Sequence, residues 1–174
     1  SVTWGHNVDG KARPGTSFSA NVNAGSTRYN QLVTNNTRQN FQNQLSSSIS
    51  YSKNWIGKPY NLTLSANHNQ NNLTRLVNVS LPDAGFSVST LYPFQGKNSV
   101  GNKWYQKLGV AYNGTFRHQF SFYDTAFRLK DLIDTFQWGA QHNFPVTLAL
   151  PPIAGGAVIV SPGISYSQVW IAQK

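Results

Sequence analysis

Lys107 and Arg117 are the residues whose type and spacing best suit the binding of an anionic ligand. Both fall on odd positions of one long alternating segment, so a β-strand would project both side chains from the same face. An Arg guanidinium can bond two phosphate oxygens at once, whereas Lys supplies a compact positive charge. Basic residues also anchor turns or keep chains soluble, so ligand contact by Lys107 or Arg117 is a hypothesis with a structural alternative.

The sequence lacks the signatures of catalysis and of metal binding. There is no nucleophile elbow, no P-loop and no Glu for paired-carboxylate chemistry, and Cys is absent. Asp124, Asp131 and Asp134 lie in one segment, but their spacing does not match an EF-hand loop and favours a solvated acidic loop. We therefore expect a protein that is not an enzyme and that has no catalytic residue, metal site or cofactor.

The segment that positions Lys107 and Arg117 alternates between apolar and polar residues from residue 107 to residue 122. A period of two predicts a β-strand, and this segment is far longer than the ~5–6 residues usual in soluble sheets. Its length and its single apolar face favour the wall of a transmembrane β-barrel, with lipid outside and water inside. Six residues on the even side are expected to face lipid: Leu108, Val110, Tyr112, Phe116, Phe120 and Phe122.

Composition favours the same architecture. Only 11% of the 174 residues are charged, Glu is absent and mean hydropathy is −0.39, so Asn, Gln, Ser and Thr supply the polarity. Glu is a strong helix former, whereas the abundant aromatic residues favour strands. A soluble β domain would carry more surface charge, and no apolar run reaches the ~20 residues of a membrane-spanning helix. The chain is therefore predicted to be all-β and to cross any membrane with strands.

The alternation recurs along the chain and predicts seven clear strands, with a possible strand end at residues 2–6. Besides 107–122, the alternating segments are 18–24, 45–51, 60–67, 77–88, 138–150 and 158–166. The parity of the apolar positions changes at Pro82, which cannot donate to a ladder, so a bulge or kink is predicted there. A meander of seven or eight antiparallel strands fits an up-and-down barrel.

The connectors between these strands also alternate in character. Gly, Pro and Lys are frequent at residues 7–15, 54–58, 95–103 and 151–156, whereas 30–40, 69–74 and 124–135 are Asn-rich or acidic. Such a difference is typical of turns and loops that face different compartments. Five aromatic residues near the first set are predicted to form a girdle at a membrane interface: Trp55, Tyr60, Trp104, Tyr105 and Trp170. The alternative is that Trp and Tyr favour strand ends in any β protein.

The histidines raise the question of a metal site. If residues 124–135 form a hairpin loop centred on residues 129–130, His118 and His142 lie almost opposite each other, with His68 near the same height. No carboxylate or thiol lies nearby to complete a metal shell. These imidazoles are therefore predicted to form a polar band at the level of the lipid headgroups.

Short motifs follow one another in an order found in a known family. They are WGHNVDGKARP at 4–14, SFSANVN at 17–23, SYSKNW at 50–55, NLTLSANHNQN at 61–71, LYPF at 91–94, KWYQKLG at 103–109 and GAQH at 139–142. Across nearly the whole chain this order resembles the outer-membrane lipopolysaccharide-assembly protein family, the LptD family.

The resemblance implies a barrel in the outer membrane of a Gram-negative bacterium that inserts lipopolysaccharide into the outer leaflet without covalent chemistry. The implied partners are lipopolysaccharide, outer-membrane lipids, a plug lipoprotein and periplasmic bridge components. A formal net charge of +9 suits a phosphorylated polyanion, which Lys107 and Arg117 would contact from the lumen. Family members have a larger barrel and a separate periplasmic domain, so residues 1–174 are expected to be one incomplete domain, a segment of the barrel wall.

Two other functions stay open at this stage. A complete small barrel of eight strands with a structural or anchoring role fits a chain of this length. The ending at residues 170–174 lacks a terminal aromatic residue, however, and Met is absent from position 1, as expected of a piece of a longer chain. A soluble β-sandwich carbohydrate-binding module would remain in solution without detergent. Nucleic acid is not an expected partner, because Lys and Arg are scattered singly.

Overall fold

The computed structural model describes residues 2–8, 10–24, 44–96, 103–124, 137–152 and 158–173, which form one antiparallel sheet of eight strands. The strands lie side by side in chain order. Their bounds are β1 Val2–Asn7, β2 Thr16–Ala24, β3 Gln44–Asn54, β4 Tyr60–Asn71, β5 Leu76–Leu91, β6 Leu108–Tyr123, β7 Gln137–Leu148 and β8 Gly163–Gln173. A 3₁₀ turn, Trp104–Lys107, precedes β6. Within the described ranges, no helix has the length and apolarity needed to cross a membrane.

The predicted all-β meander is confirmed, and the possible strand at residues 2–6 is a full strand, because β1 pairs with β2 along its whole length. The last alternating segment, 158–166, is misplaced. β8 begins at Gly163 and continues to Gln173. Pro162 has no N–H for the ladder, which accounts for the later start. From Val169 to Ala172 the strand is apolar on both sides, so its period of two is hidden there.

The irregularity predicted at Pro82 is confirmed. The register of β5 shifts against β6 between Ser80 and Asp83, and β4 shifts against β5 between Ser65 and Asn67. The Leu81–Pro82 peptide is cis. Because the shift adds one parity change, the apolar side chains before and after Pro82 stay on the same side of the sheet.

The pairing register sorts the side chains of the sheet into two faces. Phe116 on β6 is opposite Ala84 on β5 and Ala140 on β7, and the next residue, Arg117, is opposite Asp83 and Gly139. Residues that pair directly share a face. The side that carries Phe116 is called the apolar face below, and the side that carries Arg117 is called the polar face.

Burial in this single layer is shallow. The buried hydrophobic residues of the described ranges are Ala20, Leu45, Val77 and Ala140, and no large side chain there is fully buried. A sheet in a soluble domain buries its apolar face against a second layer. The described part of this chain supplies no such layer, so the apolar face must be covered by something outside it.

Alternate connectors lie at the same end of the sheet, because each strand reverses the direction of the one before. The first end holds the described parts of connectors 8–15, 55–59, 92–107 and 149–162, and connector 72–75 lies at the second end. This alternation agrees with the two predicted sets of connectors. Residues 30–40 lie outside the described residues, as do Asp131 and Asp134, and the acidic loop stays a prediction.

Candidate functional site

The polar face carries mainly uncharged hydroxyl and amide groups. Alternation along each strand places Ser, Thr, Asn or Gln at most positions of this face, and neighbouring strands bring them within bonding distance. Four cross-strand hydrogen bonds join such side chains: Ser17–Ser52 at 2.7 Å, Ser19–Ser50 at 2.6 Å, Ser121–Asn78 at 2.7 Å and Ser165–Asn143 at 2.5 Å. Such a surface can exchange hydrogen bonds with water or with the hydroxyl groups of a sugar.

An ion pair lies among these uncharged groups. Arg117 Nε donates to Asp83 Oδ2 at 3.1 Å, across the β5–β6 pair. The Arg117 side chain is 68% exposed and that of Asp83 is 23% exposed, so the pair contributes no more than ~1 kcal/mol to stability. Because Asp83 engages Nε, the two terminal amino groups of the guanidinium remain available for a bidentate contact with phosphate.

A depression of about 600 Å³ lies beside this pair on the polar face. Thr63, Thr115 and Gln141 line it together with Arg117 and Asp83. Its far wall is apolar, since β8 contributes Val169 and Ile171. The depression therefore combines hydroxyl groups, one oriented guanidinium and an apolar wall, which suits an amphipathic ligand that carries phosphate.

The structure separates the two predicted lumen residues. Lys107 is the last residue of the 3₁₀ turn, and its carbonyl accepts from Ala149 N at 3.2 Å. Strand parity therefore does not fix the direction of its side chain, contrary to the prediction that Lys107 lies in the strand. From Leu108 to Arg117 the strand extends ~30 Å at its usual rise. Lys107 and Arg117 thus lie at different heights and cannot bind one phosphate together.

Sequence reasoning placed Arg117 on the correct face but missed its partner Asp83. The change of parity at Pro82 made it uncertain which face Asp83 would occupy. A usable signal was present, because Asp83 is the only acidic residue inside a predicted strand segment. A carboxylate at such a position would be expected to pair across the sheet with the nearest cation.

The six residues predicted to face lipid share the apolar face of β6. Parity along the strand requires this, and their partners on β5 and β7 are apolar or small where pairs form. These six are Leu108, Val110, Tyr112, Phe116, Phe120 and Phe122. Their contact with lipid belongs to the proposed function below.

An unbroken row of aromatic rings crosses the apolar face towards the first end. The ring centroids are separated by 6.4 Å for Trp55–Tyr60, 6.4 Å for Tyr60–Phe86, 6.2 Å for Phe86–Tyr112, 4.9 Å for Tyr112–Phe144 and 6.4 Å for Phe144–Tyr166. Rings at one height on successive strands are the arrangement of an aromatic girdle. The row marks one level of the sheet.

Four of the five predicted interface aromatics lie at the first end, and the fifth does not. Trp55 and Tyr60 flank the β3–β4 turn, and Trp104 and Tyr105 belong to the 3₁₀ turn. Trp170 pairs with Ala140, near the second end of β7. Because β8 starts at Gly163, Trp170 has already crossed most of the sheet, which the misplaced strand start concealed.

The predicted height of the histidines is wrong by several residues. His118 is opposite Trp138, and His142 is opposite Gly114, so the β6–β7 register is centred on residue 128 and not on 129–130. Both imidazoles keep their predicted face, because the observed register pairs even-numbered residues of β6 with even-numbered residues of β7. Among the residues described, no three His, Cys, Asp or Glu side chains form a group that could hold a metal ion.

His142 takes part in a polar contact on the apolar face. Its Nδ1 lies 2.7 Å from the Tyr112 hydroxyl, and its ring centroid lies 4.8 Å from that of Trp170. The Tyr112 ring folds over Gly114, where any Cβ would collide with the Tyr112 hydroxyl. Gly114 thus allows the hydrogen bond, and the contact links β6, β7 and β8.

Comparison with known protein families identifies the family of the chain. No curated protein and no solved structure matches the chain. A family model described as LptD protein matches residues 1–174, which is the whole chain. The chain therefore belongs to the LptD protein family.

Proposed function

We propose that this chain forms part of the wall of the outer-membrane translocon that inserts lipopolysaccharide into the outer leaflet. The apolar face lies against membrane lipid, and the polar face lines a water-filled lumen. Membership of the LptD family supports the role in lipopolysaccharide transport and assembly and the residence in the outer membrane. The segregation of side chains into two faces is the observation that carries the proposal.

The shallow burial of the sheet supports a membrane setting. Covering apolar surface contributes ~25 cal/mol per Å², so an apolar face left in water would cost the sheet much of its stability. Lipid covers such a face without a second protein layer. In hydrocarbon, backbone groups must be paired within the protein, and the ladders between consecutive strands do this everywhere except at the outer edges of β1 and β8 and at the bulges.

The open edges favour a larger barrel over a complete small one. Among the described residues, β1 pairs only with β2 and β8 pairs only with β7, so these eight strands do not close on one another. Unpaired strand edges do not occur in the hydrocarbon region of membranes. Further strands would satisfy these edges, and this chain is then one incomplete domain of the barrel.

The polar face supplies the contacts for the transported molecule. Its hydroxyl and amide groups would exchange hydrogen bonds with the sugars, and the terminal amino groups of Arg117 would bind a phosphate. Lys107 lies at the first end, away from Arg117, so it does not share a phosphate with Arg117. A plug lipoprotein and periplasmic bridge components are the protein partners that family membership suggests.

Photo-crosslinking from adjacent positions tests this proposal. A photoreactive amino acid at Thr115 probes the polar face, and the same residue at Phe116 probes the apolar face one position away. During transport, we expect lipopolysaccharide to crosslink at position 115 and phospholipid at position 116. Equal crosslinking of lipopolysaccharide at both positions would contradict the assignment of the faces. Recovery of the intact protein from the soluble fraction without detergent would contradict the membrane setting.

A further inference from the structure

Lysines and aromatic rings are concentrated at the first end of the sheet. Lys53 ends the apolar face of β3, Lys58 lies in the β3–β4 turn, and the β5–β6 connector contributes two more. The first-end collar is defined here as the four lysines Lys53, Lys58, Lys103 and Lys107 with the rings of Trp55, Trp104 and Tyr105. It continues the aromatic row of the apolar face, which includes Trp55.

Two of these lysines rest on aromatic rings. Lys53 Nζ lies 5.2 Å from the ring centroid of Trp55, and Lys103 Nζ lies 5.8 Å from that of Tyr105. A cation over an aromatic face is attracted by the ring quadrupole, which restricts where the ammonium group can lie. The same arrangement thus occurs at two separate places at one end of the sheet, the end of β3 and the β5–β6 connector.

The position of Lys53 is informative, because it lies on the apolar face. Lys53 pairs with Leu62 on β4 and with Thr16 on β2, near the end of β3 that lies at the first end of the sheet. A lysine at the margin of an apolar face buries its aliphatic stem and extends its ammonium group towards the polar boundary. The Trp55 ring, half-buried beside it, has the amphipathic character of an interface residue.

The positive charge of the collar is not compensated within the described residues. None of its four lysines pairs with a carboxylate there, and the ion pair that the described residues do contain is Arg117–Asp83, far along β6. A cation–π contact orients an ammonium group but leaves its charge intact. The end of an apolar face therefore presents excess positive charge at the level where lipid headgroups would lie.

We propose that the first-end collar binds the phosphate groups of anionic membrane lipids, outside the lumen. The ring contacts orient Lys53 and Lys103 towards the lipid, and the phosphates fix the depth of this end in the bilayer. This inference rests on the proposed function for the membrane setting only. It assigns the collar to lipids that surround the barrel, whereas Arg117 faces the transported molecule.

A lipid-retention experiment on the intact protein tests the collar. The protein is reconstituted in phosphatidylcholine discs that contain either phosphatidylglycerol or lipopolysaccharide, and the lipids retained after mild detergent extraction are quantified by mass spectrometry. The test variant is Lys53→Gln with Lys103→Gln, and the matched control is Lys53→Arg with Lys103→Arg, which keeps both charges. The two disc compositions show which phosphate-bearing lipid the collar prefers.

We expect the native protein and the Arg control to enrich the anionic lipid. The enrichment by the Gln variant should be about fivefold lower for each lysine replaced. High salt should reduce the enrichment of the native protein. Equal enrichment by the Gln variant and the native protein would overturn the proposal. If the double Gln variant does not insert, the single Lys53→Gln variant is compared with Lys53→Arg, and equal enrichment by these two again overturns it.

The same experiment separates failure of the collar from failure of the proposed function. A native protein that inserts into discs but does not enrich anionic lipid contradicts the collar alone. A native protein that remains in solution and never inserts contradicts the membrane setting of the proposed function. Quenching of Trp fluorescence by brominated lipid distinguishes these results, because Trp55 and Trp104 lie at the proposed interface.

Discussion

Replacing Tyr112 by Phe removes one hydroxyl group from the apolar face and isolates His142. In the native protein, the Tyr112 hydroxyl lies 2.7 Å from His142 Nδ1, and the contact is partly buried. His142 Nε2 is buried and has no hydrogen-bond partner among the described residues. The substitution therefore leaves an imidazole with neither nitrogen paired, on a surface that excludes water in the proposed setting.

The expected cost of Tyr112→Phe follows from this geometry. A hydrogen bond contributes ~0.5–1.5 kcal/mol net, and a buried polar atom left unpaired costs ~1–3 kcal/mol. Polar contacts inside membranes have measured strengths nearer ~0.6 kcal/mol, since the unfolded chain also finds partners there. We therefore expect Tyr112→Phe to lower the free energy of unfolding by ~1–2 kcal/mol.

A double-mutant cycle isolates the interaction from the loss of the hydroxyl itself. The cycle combines Tyr112→Phe with His142→Leu, and unfolding in urea is followed by Trp fluorescence in lipid vesicles. Once His142 is replaced, Tyr112→Phe should cost little, which gives a coupling energy of ~1 kcal/mol. Tyr166→Phe is the control, because the Tyr166 ring contacts Phe144 in the same row and its hydroxyl makes no hydrogen bond in the described residues. Additive effects in the cycle, or equal costs for Tyr112→Phe and Tyr166→Phe, would refute the reasoning.

Two further substitutions have definite expected outcomes. Gly114→Ala should lower the free energy of unfolding by ~1–3 kcal/mol, because the new Cβ must displace the Tyr112 ring, whereas Gly5→Ala, with nothing within 4 Å of the new atom, should cost less than ~1 kcal/mol in the same urea titration. Asp83→Asn should change stability by less than ~1 kcal/mol but increase lipopolysaccharide crosslinking on the polar face, because Arg117 is then uncompensated; unchanged crosslinking would argue against phosphate binding by Arg117.

The order and the faces of the strands could be predicted because a period of two repeats throughout the sequence. Each strand except β8 has one polar and one apolar side, and the parity change at Pro82 predicted the bulge that the structure has there. β8 does not follow this pattern along its whole length. Val169 and Ile171 are apolar residues on the polar face of β8, and Trp170 between them lies on the apolar face. This part of the strand therefore has no alternation to detect.

Height along the strands could not be predicted in the same way. A slip of one residue moves every side chain to the other face and is visible in the hydrophobic pattern, whereas a slip of two residues keeps each face intact. The apolar positions of β6 and β7 are even-numbered, so the pattern fits a loop centred on any whole residue number and did not single out the actual centre at residue 128. The error displaced His118 from His142 without altering the face of either.

Prediction of a site in such a sheet therefore requires two independent coordinates, the face and the height. Parity supplies the face, and it assigned Arg117 correctly while saying nothing about its partner Asp83. Height is set by contacts between neighbouring strands, and the aromatic row is its marker here, because rings from successive strands meet at one level. Lys53 places a positive charge at that level, because its ammonium group lies over the ring of Trp55. If the row lies at a membrane interface, the depths of Arg117 and of the first-end collar follow from the strand rise alone.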